Sequence, residues 1–230
     1  MTVVANAMDP SIRLTAVEAR LLGVLVEKAL TTPEQYPLTL NAVVNGANQK
    51  TNREPVLALS DDEVSEGLDG LIDKELARKV FPGNSRVDKY CHTGTSTLKI
   101  EIGHLAVLAE LLMRGAQSSA ELRARAGRMI ALDTPEQLTA MLDALAARGM
   151  VERVPPGRGS RVERHVQLLC PGLHPLDAAP PSAAAAPLED PHAPTRAALA
   201  SRLESVEAEV GRLRRQLDRL ADKLGEPLGD

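Results

Sequence analysis

Eight basic side chains could bind the phosphates of a nucleic acid, because guanidinium and ammonium groups donate charge-assisted hydrogen bonds to phosphate oxygens. Two of them lie in the polar stretch NQKTNR at residues 48–53, and six lie between residues 123 and 164. The set consists of Lys50, Arg53, Arg123, Arg125, Arg128, Arg158, Arg161 and Arg164. Arginine also occurs on ordinary exposed surfaces, so a solvated role for this group is the alternative.

The stretch NQKTNR allows two interpretations. In the first, its amide and hydroxyl side chains cap helix ends and bridge the loop backbone, while Lys50 and Arg53 are solvated. In the second, Lys50 and Arg53 contact phosphates and the amides contact base edges. The sequence alone does not separate these interpretations.

The sequence offers little for catalysis or metal binding. The two cysteines, Cys91 and Cys170, are not in a C-x-x-C pattern. The five histidines show no spacing typical of a metal site or a catalytic triad; they are His92, His104, His165, His174 and His192. We therefore expect no enzyme activity, no metal and no cofactor.

Composition restricts the classes of nucleic-acid site. The chain has one Phe, two Tyr and no Trp, which removes the aromatic platforms on which single-stranded nucleic acids stack. The formal net charge of −4 provides no global attraction to phosphate, so any such contact requires a local basic patch. Hydrophobic residues make up 43% of the chain, enough to fill a core.

Two segments of the chain repeat each other. Residues 82–90, PGNSRVDKY, align with residues 156–165, PGRGSRVERH, so that Tyr90 matches His165. The register extends upstream at an offset of 74 residues, where Leu68 matches Leu142. In both copies, helical spacing of apolar residues is followed by alternation and a Pro-Gly turn, which predicts a helix leading into a β-hairpin.

Each copy reads as three helices followed by a strand, a turn and a strand. An offset of 83 residues aligns Glu27 with Glu110 within the first helix of each copy. Capping boxes predict where four helices begin, at Thr15, Ser60, Ser118 and Thr134. This order is typical of a winged helix. We predict a mainly α fold with small β-hairpins, in which residues 12–96 and 97–170 form two tandem winged-helix domains.

The stretch PEQYPLTLNAVVNGANQKTNREPV at residues 33–56, with SRVDKYCH at residues 85–92, resembles the YceH-like proteins of bacteria. The resemblance spans residues 12 to 170. It implies a tandem winged-helix fold. It implies no activity, because the family has none assigned.

The C-terminal quarter differs in composition from the repeats. Residues 171–196 are rich in Pro and Ala and predict a semi-flexible linker. Apolar residues in 197–225 alternate at spacings of four and three, which is typical of a coiled-coil helix. The seam consists of Leu199, Leu203, Val206, Val210, Leu213, Leu217, Leu220 and Leu224. We predict a parallel homodimer through this seam; a single helix that folds back on the domains is the alternative.

The third helix of the first copy, residues 60–75, carries strong negative charge. Its only cation is Lys74. Its acidic residues are Asp61, Asp62, Glu63, Glu66, Asp69, Asp73 and Glu75. Such a helix would be repelled by the DNA major groove. It is either a solvated acidic face or a docking surface for a basic protein partner.

Two functions follow from these features. The first is a dimeric, DNA-associated protein resembling transcription regulators, in which the basic side chains of the second copy contact DNA. The second is an adaptor whose winged-helix surfaces bind proteins without DNA. The N-terminus lacks the pattern of a signal peptide, and no apolar run is long enough to span a membrane, so we expect a cytoplasmic protein.

Overall fold

A computed structural model describes the backbone and side chains of most of the two repeats. It covers residues 12–81, 87–156 and 162–174, together with Arg212. Arg158 and Arg161 lie outside the described residues, as do the eight residues of the predicted coiled-coil seam. Arg212, within the predicted coil, is helical and exposed.

The chain divides into two units, residues 1–178 and residues 179–230, and both repeats lie in the first unit. The first repeat contains α1 (Ala16–Thr31), a 3-10 helix (Pro33–Gln35), β1 (Leu38–Thr39), α2 (Leu40–Ala47), α3 (Asp61–Asp73), β2 (Ala77–Val80) and β3 (Lys89–His92). A short helix, α4 (Gly94–Leu98), follows it. The second repeat contains α5 (Ile102–Arg114), α6 (Ser119–Ala126), α7 (Pro135–Ala147), β4 (Val151–Val154) and β5 (Arg164–Gln167).

The described residues thus form seven α-helices and small antiparallel sheets. The expected three helices followed by a hairpin are present in each repeat. The structure adds α4 and β1, which the sequence did not predict. Both elements are short, five and two residues, so they leave little periodic signal.

All four predicted capping boxes are present and fix where their helices begin. At the start of α1, the Glu18 N–H donates to Thr15 Oγ1 at 3.2 Å. In return, the Thr15 N–H donates to Glu18 Oε2 at 2.8 Å. Each box satisfies two backbone donors that have no partner inside the helix.

The small sheets repeat as well. In the first repeat, β1 pairs with β3 so that Leu38 lies opposite Tyr90. In the second repeat, Gln117 forms an isolated bridge with His165, and each backbone N–H donates to the other residue's carbonyl, at 3.1 and 2.7 Å. Tyr90 and His165 are matched positions of the repeat. Both repeats therefore attach the segment before their second helix to the same place on the hairpin.

Hydrophobic side chains of both repeats form one core. The first helices of the two repeats, α1 and α5, pack directly against each other. Gly23 permits this close approach, because a Cβ at that position would lie 2.5 Å from Met113 Cγ. The domain boundary expected between residues 96 and 97 falls within α4, and Leu98 of that helix is buried in the shared core.

None of the described helices is long and apolar enough to cross a membrane. The longest of them, α1, has 16 residues. It also carries charged side chains, including the buried Glu18, Arg20 and Glu27. A membrane-spanning helix needs about 20 predominantly apolar residues.

We expect Gly23→Ala to lower the free energy of unfolding by about 1–3 kcal/mol, because the added methyl group would overlap Met113 at the contact between α1 and α5. Chemical denaturation measures this loss. Gly103→Ala is the matched control, since the closest atom to its new Cβ would be Met141 Cε at 3.0 Å, the mobile end of a side chain. A Gly23→Ala protein as stable as the wild type would contradict the close approach of the two helices.

Candidate functional site

Six of the predicted phosphate-binding side chains lie in the described part of the chain, and four of these six are used internally. Lys50 is exposed in the segment after α2, and Arg164 is half-buried in β5. Four others bind groups of the protein itself, namely Arg53, Arg123, Arg125 and Arg128.

Arg53 is the most completely buried of them, with a side chain that is 0% exposed. Its guanidinium forms an ion pair with Glu27 of α1. Arg53 Nε also donates to the Gly46 carbonyl at 3.0 Å, and Nη2 donates to Gln49 Oε1 at 2.9 Å. Both interpretations of NQKTNR placed Arg53 at the surface, and this was wrong. A short loop after α2 turns it inward because a buried carboxylate lies within reach.

Glu27 and Glu110 occupy matched positions of the two repeats and both are buried, with exposures of 1% and 0%. A single guanidinium joins them, because Arg128 forms ion pairs with both carboxylates. Arg128 Nη2 lies 3.2 Å from Glu110 Oε2. Arg114, one turn beyond Glu110 on α5, places its Nε 3.1 Å from Glu110 Oε1.

Asn52 closes these contacts into a ring. Its backbone carbonyl accepts a hydrogen bond from Arg53 Nη1 at 2.9 Å, and its Oδ1 accepts one from Arg114 Nη2. The backbone of Asn52 has φ 61°, a left-handed conformation that Asn adopts more readily than most residues. We call this set the ion-pair ring; its members are Glu27, Asn52, Arg53, Glu110, Arg114 and Arg128.

The environment of Glu27 favours its charged form. Burial by itself raises the pKa of this carboxyl group. Hydrogen bonds and charges from Arg53 and Arg128 outweigh burial, so the pKa of Glu27 is lower than that of an ordinary glutamate. The carboxylate is therefore held ionised inside the core.

The ring contains three guanidinium groups and two carboxylates, so it carries an excess of positive charge. The pKa of Arg114 reflects this excess. Burial lowers that pKa, Glu110 opposes the change, and the charges of Arg125, Arg128 and Arg53 lower it further. Arg125 therefore lies near enough to add its charge to that of the ring.

Arg123 and Arg125 bind neighbouring parts of the second repeat. Arg123 donates to two backbone carbonyls in the loop between α6 and α7, those of Leu132 at 3.2 Å and Asp133 at 2.8 Å. Arg125 Nη1 donates to Gln117 Oε1 at 2.7 Å. These contacts position the loop and the bridge residue, and they occupy part of the donor capacity that phosphate would need.

A family model described as "Protein of unknown function, DUF480" matches residues 14–170. The chain belongs to this family. It is 42% identical over 221 residues to a UPF0502 protein of Klebsiella pneumoniae, covering 93% of this chain and 99% of that protein. It is 40% identical over 223 residues to the UPF0502 protein YceH of Salmonella paratyphi A, covering 93% and 98%. The resemblance to YceH-like proteins is confirmed.

The DUF480 match includes both repeats and every member of the ion-pair ring. Residues 33–56, which carried the resemblance, supply Asn52 and Arg53 to the ring. In the same stretch, the side chain of Asn48 accepts from the Leu59 N–H at 2.7 Å and donates to the Leu59 carbonyl at 2.8 Å. The Asn48 amide therefore bridges the loop backbone, as the structural interpretation of NQKTNR predicted, whereas the side chains of Gln49 and Asn52 accept hydrogen bonds from arginine side chains.

Sequence reasoning did not identify the ring, although one signal for it was present. Glu27 and Glu110 are acids at matched positions, each directly after an apolar run of its helix, LLGVLV before Glu27 and LAVLA before Glu110. A charged residue in such a place requires a partner when it is buried. The partners come from loops, and no sequence periodicity predicts which loop residues reach a helix.

Both carboxylates of the ring, Glu27 and Glu110, are engaged by guanidiniums of the protein itself. The members of the ring are carboxylates, guanidiniums and one amide. Over residues 12–81, 87–156 and 162–174, no group of three or more His, Cys, Asp or Glu residues could hold a metal ion. The arrangement joins the repeats and exposes part of its positive charge at the edge.

We expect Glu27→Gln to lower the free energy of unfolding at neutral pH by about 3 kcal/mol or more, because it leaves the Arg53 guanidinium buried without its counter-ion. The carboxyl group has a lowered pKa when folded, so its contribution is present above the unfolded pKa and is lost as the pH falls through the folded pKa. The difference between wild type and variant should therefore shrink in acid.

Urea denaturation between about pH 7 and pH 3 measures this difference. Glu136→Gln, on the exposed face of α7, is the control and should change stability by less than about 0.5 kcal/mol. A loss in Glu27→Gln that stays constant across this pH range would show that the carboxylate charge is not what stabilises the ring.

Proposed function

We propose that this protein is a non-enzymatic cytoplasmic adaptor, built from two tandem winged helices and dimeric through its C-terminal segment. Each repeat supports the winged-helix assignment, with a helix, a short strand or bridge, two helices and a hairpin. Both cysteines, Cys91 and Cys170, are free, which suits a reducing compartment. The carboxylates of the ion-pair ring are paired with guanidiniums, which favours a structural role for them over a catalytic one.

The observation that carries the proposal is the exposed surface of α3, the helix with which winged helices usually read DNA. All acidic side chains of residues 60–75 are exposed. They are Asp61, Asp62, Glu63, Glu66, Asp69, Asp73 and Glu75. None of them forms an ion pair with another described residue. Lys74 does not offset them, because its Nζ binds Glu18 Oε1 at 2.5 Å.

This charge favours a basic protein segment as the partner. Phosphates of DNA would meet seven like charges whose only neighbouring cation, Lys74, is already paired with Glu18, and that repulsion opposes docking. Lys and Arg side chains on a partner would instead find complementary charge. Four of the six described residues expected to bind DNA are also engaged within the protein.

The matched helix of the second repeat lacks this property. The exposed face of α7 carries Glu136 and Asp143, and several of its exposed positions are alanine. The fold therefore does not require an acidic third helix. We assign partner binding to α3 of the first repeat, and α7 provides a control surface within the same molecule.

We expect the full-length variant Glu66→Lys, Asp69→Lys, Asp73→Lys to bind a short synthetic peptide rich in Lys and Arg at least about tenfold more weakly than the wild type, a loss of about 1.4 kcal/mol. These three residues are spaced by three and four along α3 and so lie on one face. Fluorescence anisotropy of the labelled peptide, at two salt concentrations, measures the affinity.

The matched control is Glu136→Lys with Asp143→Lys on α7, which should leave the affinity unchanged. Peptide binding that survives reversal of the α3 charges would refute the adaptor. A duplex DNA probe provides the competing outcome. Salt-dependent DNA binding that is lost on Arg161→Gln and Arg164→Gln would support the DNA-associated function instead.

Dimerisation of this adaptor depends on the heptad seam of residues 197–225. We expect Leu213→Asp with Leu217→Asp to convert a dimer into a monomer, because each charge would be buried without a partner in the seam. Sedimentation of the full chain should show the mass fall by half. Arg212→Gln, beside the seam and exposed, is the control and should leave the dimer intact. A wild-type monomer would favour a helix folded back on the repeats.

A further inference from the structure

We propose that the edge of the ion-pair ring binds a phosphate group through Arg114, Arg125 and Arg128. Arg114 lies in the last turn of α5, Arg125 in the last turn of α6, and Arg128 in the turn that follows. Gln117 links Arg125 to the ring, because its Oε1 accepts from Arg125 and its Nε2 lies 3.4 Å from the Glu110 carbonyl oxygen. This site is separate from the acidic face of α3 and does not depend on the proposed function.

Guanidiniums outnumber carboxylates in the ring, which favours a bound anion. The ring has one more guanidinium than carboxylates. Arg20 adds another buried cation, because its side chain is fully buried and bonds two backbone carbonyls, those of Ala47 at 3.1 Å and Pro55 at 2.6 Å. No carboxylate of the described residues forms an ion pair with Arg20. An anion at the edge of the ring would compensate this charge where desolvation makes it costly.

The guanidiniums of Arg114, Arg125 and Arg128 are accessible to a solute. Arg53, deep in the ring, has a side chain that is 0% exposed, whereas those of Arg114, Arg128 and Arg125 are 19%, 32% and 35% exposed. The three guanidiniums thus form the part of the cluster that a solute can reach. Two of them also lie at the contact between the repeats, since Arg114 binds Asn52 and Arg128 joins Glu27 to Glu110.

The guanidiniums of Arg114 and Arg125 are incompletely hydrogen-bonded within the protein. Arg114 Nε is buried and has no hydrogen-bond partner, although Glu110 Oε1 is 3.1 Å away, because the two groups are poorly aligned. Glu110 Oε1 is likewise without a hydrogen bond. Arg125 forms an ion pair with Glu121, but the 3.6 Å between Arg125 Nη2 and Glu121 Oε1 is too long for a hydrogen bond. The guanidiniums of Arg114 and Arg125 are therefore only partly satisfied by hydrogen bonds within the protein.

Phosphate is the anion that fits these groups best. Its tetrahedral oxygens accept from several guanidinium forks at once, and its charge of up to two matches the excess of the cluster. A single carboxylate would satisfy one fork. Free inorganic phosphate and the phosphate of a nucleic-acid backbone present the same group, so the test separates these two sources.

The experiment measures the melting temperature of the full chain with increasing inorganic phosphate, with sodium chloride adjusted to constant ionic strength. Ligand that binds only the folded state raises the melting temperature. The phosphate-dependent shift should be lost in Arg125→Gln and in Arg114→Gln. Arg153→Gln is the matched control, because Arg153 is an exposed arginine paired with Glu163 outside the ring. Circular dichroism establishes that each variant is folded. If Arg114→Gln does not fold, the result for Arg125→Gln, which lies outside the ring, decides the test.

A second arm uses a short duplex DNA and fluorescence anisotropy. A phosphate-dependent shift that requires Arg125 supports the site with free phosphate as its ligand. Duplex binding that weakens about tenfold or more in Arg125→Gln, without a shift from free phosphate, supports it with nucleic acid as the source. The absence of both effects, or an equal loss in Arg153→Gln, overturns the proposal.

Discussion

The guanidinium of Arg128 lies between two buried carboxylates that belong to different repeats, Glu27 of α1 and Glu110 of α5. Buried ions are tolerated only while every one of them has a partner, because the desolvation of each charge costs several kcal/mol. The ring therefore stabilises one arrangement of the two repeats over others that would separate its charges. Close packing of α1 on α5 at Gly23 reinforces that arrangement, and one hydrophobic core extends across both repeats.

This arrangement has a direct effect on surface chemistry. Arg53, which in the sequence looked available for phosphate, is fully enclosed in the contact between repeats, and Arg128 forms part of that contact. Lys74, the only cation of the third helix, is held by Glu18. Internal pairing thus removes cations from the surface, while the carboxylates of α3 are left exposed. The result is a molecule whose acidic face and basic edge are distinct surfaces.

Local features of the fold were predictable from the sequence. Features that depend on contacts between distant parts of the chain were not. The four capping boxes, the helices after them and the two hairpins depend on residues within a few positions of each other. The aligned Tyr90 and His165 even anticipate a common place in both hairpins. The inward turn of Arg53 could not be predicted, because it depends on a carboxylate 26 residues away in the chain. The hydrophobic core that residues on both sides of residue 96 share could not be predicted from sequence periodicity either.

One consequence concerns how this gene can change over time. Because one arginine side chain serves an acid from each repeat, a substitution in either half alters the requirements of the other. The two repeats differ at these positions, because Glu27 pairs with Arg53 and Arg128 whereas Glu110 pairs with Arg128 and Arg114. The two repeats are therefore constrained jointly. We expect replacements at these positions to be correlated among related sequences.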